Sequence, residues 1–217
     1  MYCLFSQMIK LSTRALIPSL WFAFICSAPV LANDVAEFDV TEEEGVFYIK
    51  ASVVLYAPAD YVHDVLTDYV HIYRLNPSIV ESEVLTSPDE NVTRVRTKVL
   101  GCVVFYCEEI ERVEDVKILA SGDIQAKIVP EFSQFKSGVT LWQIQSIGGN
   151  SKLTYHAEME PDFFIPPVIG NSIVKAKLRD ELINSFTRLE KIARLQSERD
   201  WNNDRSFTNW MKESSKQ

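Results

Sequence analysis

Glycine is scarce in this 217-residue chain, 7 in all, and so are histidine, with 3, and cysteine, with 4. So little glycine excludes a collagen-like or glycine-rich low-complexity chain, and 47% apolar against 24% charged residues excludes wholesale disorder. The sequence also lacks a glycine-rich phosphate loop, a Gly-x-Ser-x-Gly elbow, a His-Glu-x-x-His pair and a Cys-x-x-Cys pair. Hydrolase and dithiol redox readings lose ground accordingly. The scattered His63, His71 and His156 give no structural zinc spacing with the cysteines, and each reads as a solvated or structural side chain. Positive charge is in deficit: 22 Lys plus Arg stand against 30 Asp plus Glu, net −8. A surface of that sign repels phosphate backbones, so nucleic acid is not an expected partner.

No apolar run reaches the ~20 residues of a membrane span. The longest, Ala15 to Ala28, contains Pro18, follows Lys10 and Arg14, and precedes Val30-Leu31-Ala32, which sets small side chains at −3 and −1 of a cut before Asn33. Residues 1–32 therefore read as a cleaved secretory signal, a permanent anchor being the alternative. The expected product is a soluble exported protein, periplasmic in a Gram-negative bacterium. It would carry 20 basic and 30 acidic groups, net −10, since the signal holds two basic residues and no acidic one. About 185 residues make one domain and one core.

Cys3 and Cys26 leave with that signal, and Cys102 and Cys107 stay, in a compartment that favours disulfides. Five residues of extended strand span about 16 Å, so the two can pair only across a tight turn, which Gly101 permits. A bridge here would pin a hairpin; two buried free thiols are the alternative.

Residues 33–45 are acidic and precede the first expected strand, where Phe47, Ile49, Ala51, Val53 and Leu55 alternate with Tyr48, Lys50 and Ser52 over Val46 to Tyr56. Pro58 opens a helix carrying Val62, Val65, Leu66 and Tyr69, and a short helical or irregular piece, Ile72 to Asn76, follows. Six further strands are predicted: 79–86, 92–100, 104–113, 116–129, 137–147 and 152–160, with breaks at Gly101 and at Glu114-Asp115. From Ile169 to Arg199 no proline intervenes, and Val174, Leu178, Leu182, Phe186, Leu189 and Ala193 recur at helical spacing, while Lys175 and Lys191 fall off that stripe. Residues 200–217, with Trp201, Phe207 and Trp210, are polar without a steady apolar period and read as a mobile tail, with a transient membrane or partner contact as an option.

This order implies an α+β fold: a curved antiparallel sheet of about seven strands wrapped around one long C-terminal helix over residues 46–199. Here the sequence resembles the SRPBCC, or START-like, superfamily with its helix-grip fold, and within it the polyketide cyclase/dehydrase and coenzyme-Q-binding group. The resemblance rests on Tyr56-Ala57-Pro58-Ala59, Val65-Leu66-Thr67-Asp68-Tyr69 and Tyr73, on Phe135 to Trp142, on Leu153-Thr154-Tyr155, and on Pro161-Asp162-Phe163-Phe164-Ile165-Pro166. It implies a cavity for an apolar molecule, in a group that includes enzymes, lipid carriers and quinone binders.

The resemblance places the mouth of such a cavity where Phe132, Phe135, Trp142, Tyr155, Met159, Phe163 and Phe164 concentrate. Val174, Leu178 and Leu182 on the helix stripe join them as expected walls, with Asn76 as an orienting polar group. Phe163 to Pro167 reads as a lid or membrane-touching loop, the alternative being a hydrophobic staple at a helix start. Glu108, Glu109 and Glu111 read as a solvated strand face rather than an acid/base cluster. No metal, cofactor or catalytic residue is expected. The leading function is a monomeric carrier or binder of a lipid, acyl or isoprenoid molecule; a cyclase or dehydrase acting in the same cavity is the alternative.

Overall fold

Residues 35–87, 89–103, 106–164 and 169–214 are described, from a computed structural model; the expected signal, 1–32, lies outside them. The elements follow as β1 (Val35–Glu43), β2 (Val46–Leu55), α1 (Ala59–Thr67), β3 (Ile79–Leu85), β4 (Thr93–Val103), β5 (Tyr106–Ile118), β6 (Ile124–Ile128), β7 (Phe135–Ile147), β8 (Asn150–Pro161) and α2 (Asn171–Ser214), with 3-10 turns at Tyr69–Arg74 and Pro130–Phe132.

Period-2 alternation makes β2 the clearest strand: Phe47, Ile49, Ala51, Val53 and Leu55 are all buried while Lys50 is exposed. Its turn to β1 sets Glu44 at φ 52° and Gly45 at φ 87°, and the Glu42 carboxylate accepts from the Gly45 amide at 2.8 Å. Two successive positive φ values match the right-handed twist of a two-residue hairpin. The acidic segment is thus an edge strand, and the sheet has eight strands rather than about seven. Phe38 and Val40, inside that acidic stretch, pack on the core, and the Arg179 guanidinium lies 5.7 Å from the Phe38 ring.

All pairings are antiparallel, in the order β1-β2-β8-β7-β6-β5-β4-β3. The strands from β3 to β8 form a meander, and β2 closes against β8 with Phe47 opposite Met159 and Ala51 opposite Tyr155. The expected breaks shift. β4 runs through Gly101 to Val103, placing Cys102 directly opposite Cys107. β5 runs through Glu114-Asp115 as far as Ile118, because Asp115 is paired across the ladder with Arg94, which donates to it at 2.7 and 2.8 Å.

α1 starts at Pro58, whose carbonyl accepts from the Val62 amide at 3.2 Å, and buries Val62, Val65 and Leu66. Helix α2 contains neither proline nor glycine and continues through the segment expected as a tail, to Ser214. The Tyr61 hydroxyl donates to Asp200 at 3.2 Å, and the Glu190 carboxylate accepts from the Tyr56 amide at 3.0 Å, tying α2 to both ends of the α1 connection. On its stripe Phe186, Leu189 and Ala193 are fully buried, Val174, Leu178 and Leu182 are half-buried, Lys191 is exposed and Lys175 is half-buried. No described helix is long and apolar enough to cross a membrane. An eight-stranded curved sheet gripping a long terminal helix is the helix-grip fold.

Candidate functional site: an apolar cavity under the terminal helix

Between the concave sheet face and the first half of α2 lies a cavity of about 300 Å³. Phe47 and Ile49 of β2, Val99 and Gly101 of β4, Ile110 of β5 and Met159 of β8 form its sheet side, and Val174, Leu178 and Leu182 of α2 its roof. Its inner limit is Tyr155. That ring stacks 4.4 Å from Trp142 and 6.4 Å from Phe186, so an aromatic cluster separates the open space from the solid core. At the mouth Phe135 and Phe163 meet edge to face at 5.6 Å, and Phe164 is 67% exposed.

Most of the expected residues come together here: Asn76, Phe135, Tyr155, Met159, Phe163, Phe164, Val174, Leu178 and Leu182 all line the cavity. Two do not. Trp142 stands behind Tyr155 as core packing. Phe132 sits in the 3-10 turn on the outer face, 58% exposed, with the Arg94 guanidinium 5.8 Å from its ring. That turn caps Val113 from outside: the Ser133 hydroxyl donates to the Val113 carbonyl and accepts from its amide. Ile165, Pro166 and Pro167 lie outside the described residues.

The polar lining is what sequence reasoning missed. Along β5 the even-numbered residues Glu108, Ile110, Arg112, Glu114 and Val116 share the concave face, a pattern hidden by the charges on both faces of the expected strand 104–113, Glu109 and Glu111 as well as Glu108 and Arg112. Arg112 lines the cavity beside Tyr155; its Nε is buried without a hydrogen-bond partner, and Glu114 Oε2, 3.1 Å away, forms an ion pair outside hydrogen-bond alignment. Burial pushes the Tyr155 phenol up to about 12, the Glu114 charge adding to it, while Arg112 and a hydrogen bond with Thr140 pull the other way.

A second polar group sits on the roof. Glu181 accepts from Lys177 at 2.5 Å and from the Ser78 hydroxyl at 3.1 Å, with Asn76 as a further donor. Burial raises its pKa, but these three donors together outweigh burial and hold the carboxyl below the usual carboxylate range. Near the mouth, the Tyr106 hydroxyl lies 2.9 Å from Glu108 Oε2 and 3.4 Å from the Phe164 carbonyl. The sulfurs of Cys102 and Cys107 stand at bonding distance, 2.17 Å, with Cα atoms 4.1 Å apart. Among the described residues no group of three or more potential ligands is placed to hold a metal ion.

Residues 47–194 match the family described as polyketide cyclase/dehydrase and lipid transport. The chain belongs to that family. Solved structures share the family's fold at low identity. An aromatase/cyclase from Streptomyces sp. R1128 aligns at 15% identity over 68% of this chain and 93% of its own, with a TM-score of 0.56. A START superfamily protein from Mycobacterium smegmatis aligns at 17% over 66% and 94%, with a TM-score of 0.54. A STAR-related lipid transfer protein from Xanthomonas axonopodis aligns at 17% over 70% and 98%, with a TM-score of 0.53. Compared with curated protein sequences, the chain has no significant match. Residues 47–194 span β2 to β8 and the part of α2 over the cavity, so membership in the polyketide cyclase/dehydrase and lipid transport family bears on that space.

Proposed function

We propose that this protein is an exported, monomeric carrier of an apolar single-chain molecule, held between the sheet and the first half of α2 and oriented by Arg112. The observation that carries the reading is the cavity of about 300 Å³ with mostly apolar walls and one cation lacking a hydrogen-bond partner at Nε. An apolar space of that size left dry would cost about 7 kcal/mol at the cavity-volume rate, comparable with a domain's whole stability. A ten-carbon chain entering it gains about 8 kcal/mol gross before ordering costs. A guanidinium fork beside a buried tyrosine favours a carboxylate, carbonyl or hydroxyl head. The lipid transport in the family description and the lipid transfer named for the Xanthomonas protein support the same reading.

A cyclase or dehydrase reading draws on Arg112, Glu114 and Tyr155 sharing one interior. General acid/base work calls for groups poised near the operating pH. The three shifted groups on the cavity wall move away from neutrality, Tyr106 and Tyr155 upward and Glu181 downward, which favours the carrier. We further propose removal of residues 1–32 on export, a periplasmic location with Cys102 and Cys107 bonded, and transient bilayer contact through exposed Phe164 and Ile173 beside the mouth.

Titration of 11-(dansylamino)undecanoic acid into the mature protein tests the carrier. The expected result is micromolar or tighter binding that weakens about tenfold in Arg112→Met, the scale of one charge-assisted hydrogen bond. A folded wild type that binds no apolar probe overturns the reading.

A further inference from the structure

We propose that the Cys102–Cys107 bridge is a thiol–disulfide exchange site for a dithiol oxidoreductase, and that opening it loosens the mouth of the cavity. The ligand-retention half of the proposal rests on the carrier reading; the exchange half does not.

The pair occupies the last rung but one of the β4–β5 ladder, with only Val103 opposite Tyr106 beyond it. Residues that alternate along a strand face opposite ways, so the two cysteines lie on the convex side while Gly101, Tyr106 and Glu108 line the cavity, with Cys102 reaching its rim. The bridge is therefore a staple on the outer surface of the wall whose inner surface is the mouth. Its neighbour Tyr106 links that wall to the aromatic segment at the mouth through its approach to the Phe164 carbonyl, 3.4 Å. A terminal rung of a two-stranded end opens readily, because it has few buried contacts to hold it. The covalent link one rung inward is what keeps Tyr106 in place.

The two cysteines differ in exposure as residues: Cys107 is exposed and Cys102 is half-buried. An incoming thiolate thus reaches Cys107 Sγ, and the new S–S bond forms as the bond to Cys102 breaks. Cys102 leaves with the electron pair and takes a proton from water. The partner's second thiol then displaces Cys107 from the mixed disulfide and closes the partner's own disulfide. The partner is oxidised by two electrons, and this protein, having gained two electrons and two protons, carries two thiols.

Two measurements test this with the full mature chain. A dithiol oxidoreductase whose second cysteine is replaced by serine stalls at the mixed disulfide; peptide mapping should find it on Cys107, and an adduct on Cys102, or none, overturns the exchange site. Displacement of 11-(dansylamino)undecanoic acid by excess oleate should then be about tenfold faster after dithiothreitol reduction, the scale of a short-loop cross-link. The double variant Cys102→Val, Cys107→Val should show the fast rate with or without reductant. An unchanged rate, with the open bridge verified by intact mass, overturns the mouth-loosening claim. So does a collapse of the near-ultraviolet circular dichroism on reduction, since the bridge would then hold the whole domain. An oxidised protein that never binds the probe defeats the carrier reading instead, and the trapped adduct still reports on the exchange.

Discussion

Two neighbouring stretches of α2 carry the same apolar stripe and meet opposite surroundings. Toward its middle Phe186, Leu189 and Ala193 are each at most 1% exposed, packed with Val62 and Val65 of α1 and the Trp142–Tyr155 pair. One to three turns earlier Val174, Leu178 and Leu182 look across open space at Val99, Gly101 and Ile110. The difference lies in what meets the helix: α1 and the Trp142–Tyr155 pair fill the space against Phe186, Leu189 and Ala193, whereas the cavity separates Val174, Leu178 and Leu182 from the sheet. An amphipathic stripe therefore tells which face of a helix turns inward, not whether anything fills the space it faces.

The sharpest way to break this contrast is to truncate one side chain in each stretch. Phe186→Ala should destabilise the fold by about 3–5 kcal/mol, the cost of a large cavity in a core, read by urea unfolding. Leu178→Ala, bordering space already open, should cost less than half as much. Equal losses would mean that both stretches are core. Leu178→Glu should leave a cooperative fold and weaken binding of 11-(dansylamino)undecanoic acid by about a hundredfold or more, because an unpaired carboxylate in an apolar wall is costly. A folded variant that binds like wild type removes Leu178 from the site.

Glu181→Gln probes the polar roof, with a smaller effect of at most about 1 kcal/mol, since the carboxylate is partly solvent-screened. The sign follows from its lowered pKa. The folded state holds the ionised form more tightly than the unfolded chain does, so the contribution is present above the ordinary carboxylate value of about 4.3 and fades as pH falls through the lower folded value. Melting of the two proteins should therefore differ at pH 7 and converge in acid; a gap that persists there contradicts the ionised roof. Least of all, ending the chain after Asp200 should shift stability by no more than ~0.5 kcal/mol, since the Tyr61–Asp200 and Tyr56–Glu190 bonds remain. A large loss would show that the far end of α2 packs in solution.

Much of this architecture was legible because packing agrees with pattern. The alternation in β2 and the spacing of Val174 to Ala193 each have one physical reading, and the aromatic residues near the mouth were placed by the family resemblance. β1 was missed because its apolar content is slight: Phe38 and Val40 alone hold it to the core, and ladder hydrogen bonds to β2 supply the rest. Arg112 was missed for a different reason. Within the expected strand 104–113 charges fall on both faces, Glu108 and Arg112 on one and Glu109 and Glu111 on the other, so alternation marked neither as inward, and the Arg94–Asp115 pair that accompanies β5 past Glu114 cannot be seen from either strand alone. Phe132 and Trp142 were assigned because aromatics concentrate where the resemblance places the mouth, and such clustering cannot tell a cavity wall from the core behind it or from the outer face.

The junction of β2 with β8 also constrains when the molecule can exist as a folded object. Phe47 waits for Met159, roughly a hundred residues later, and β1 can pair only with β2, so the amino-terminal hairpin remains an isolated two-stranded ribbon until the chain is almost finished. Such a ribbon is marginal by itself. The domain's contact order is thus high at the end that emerges first from the ribosome, and a nascent chain stays loose and threadable for most of its synthesis. Under the export proposed above, an unfolded crossing gains from a topology in which the last strand, β8, is the one that admits the amino-terminal hairpin through β2.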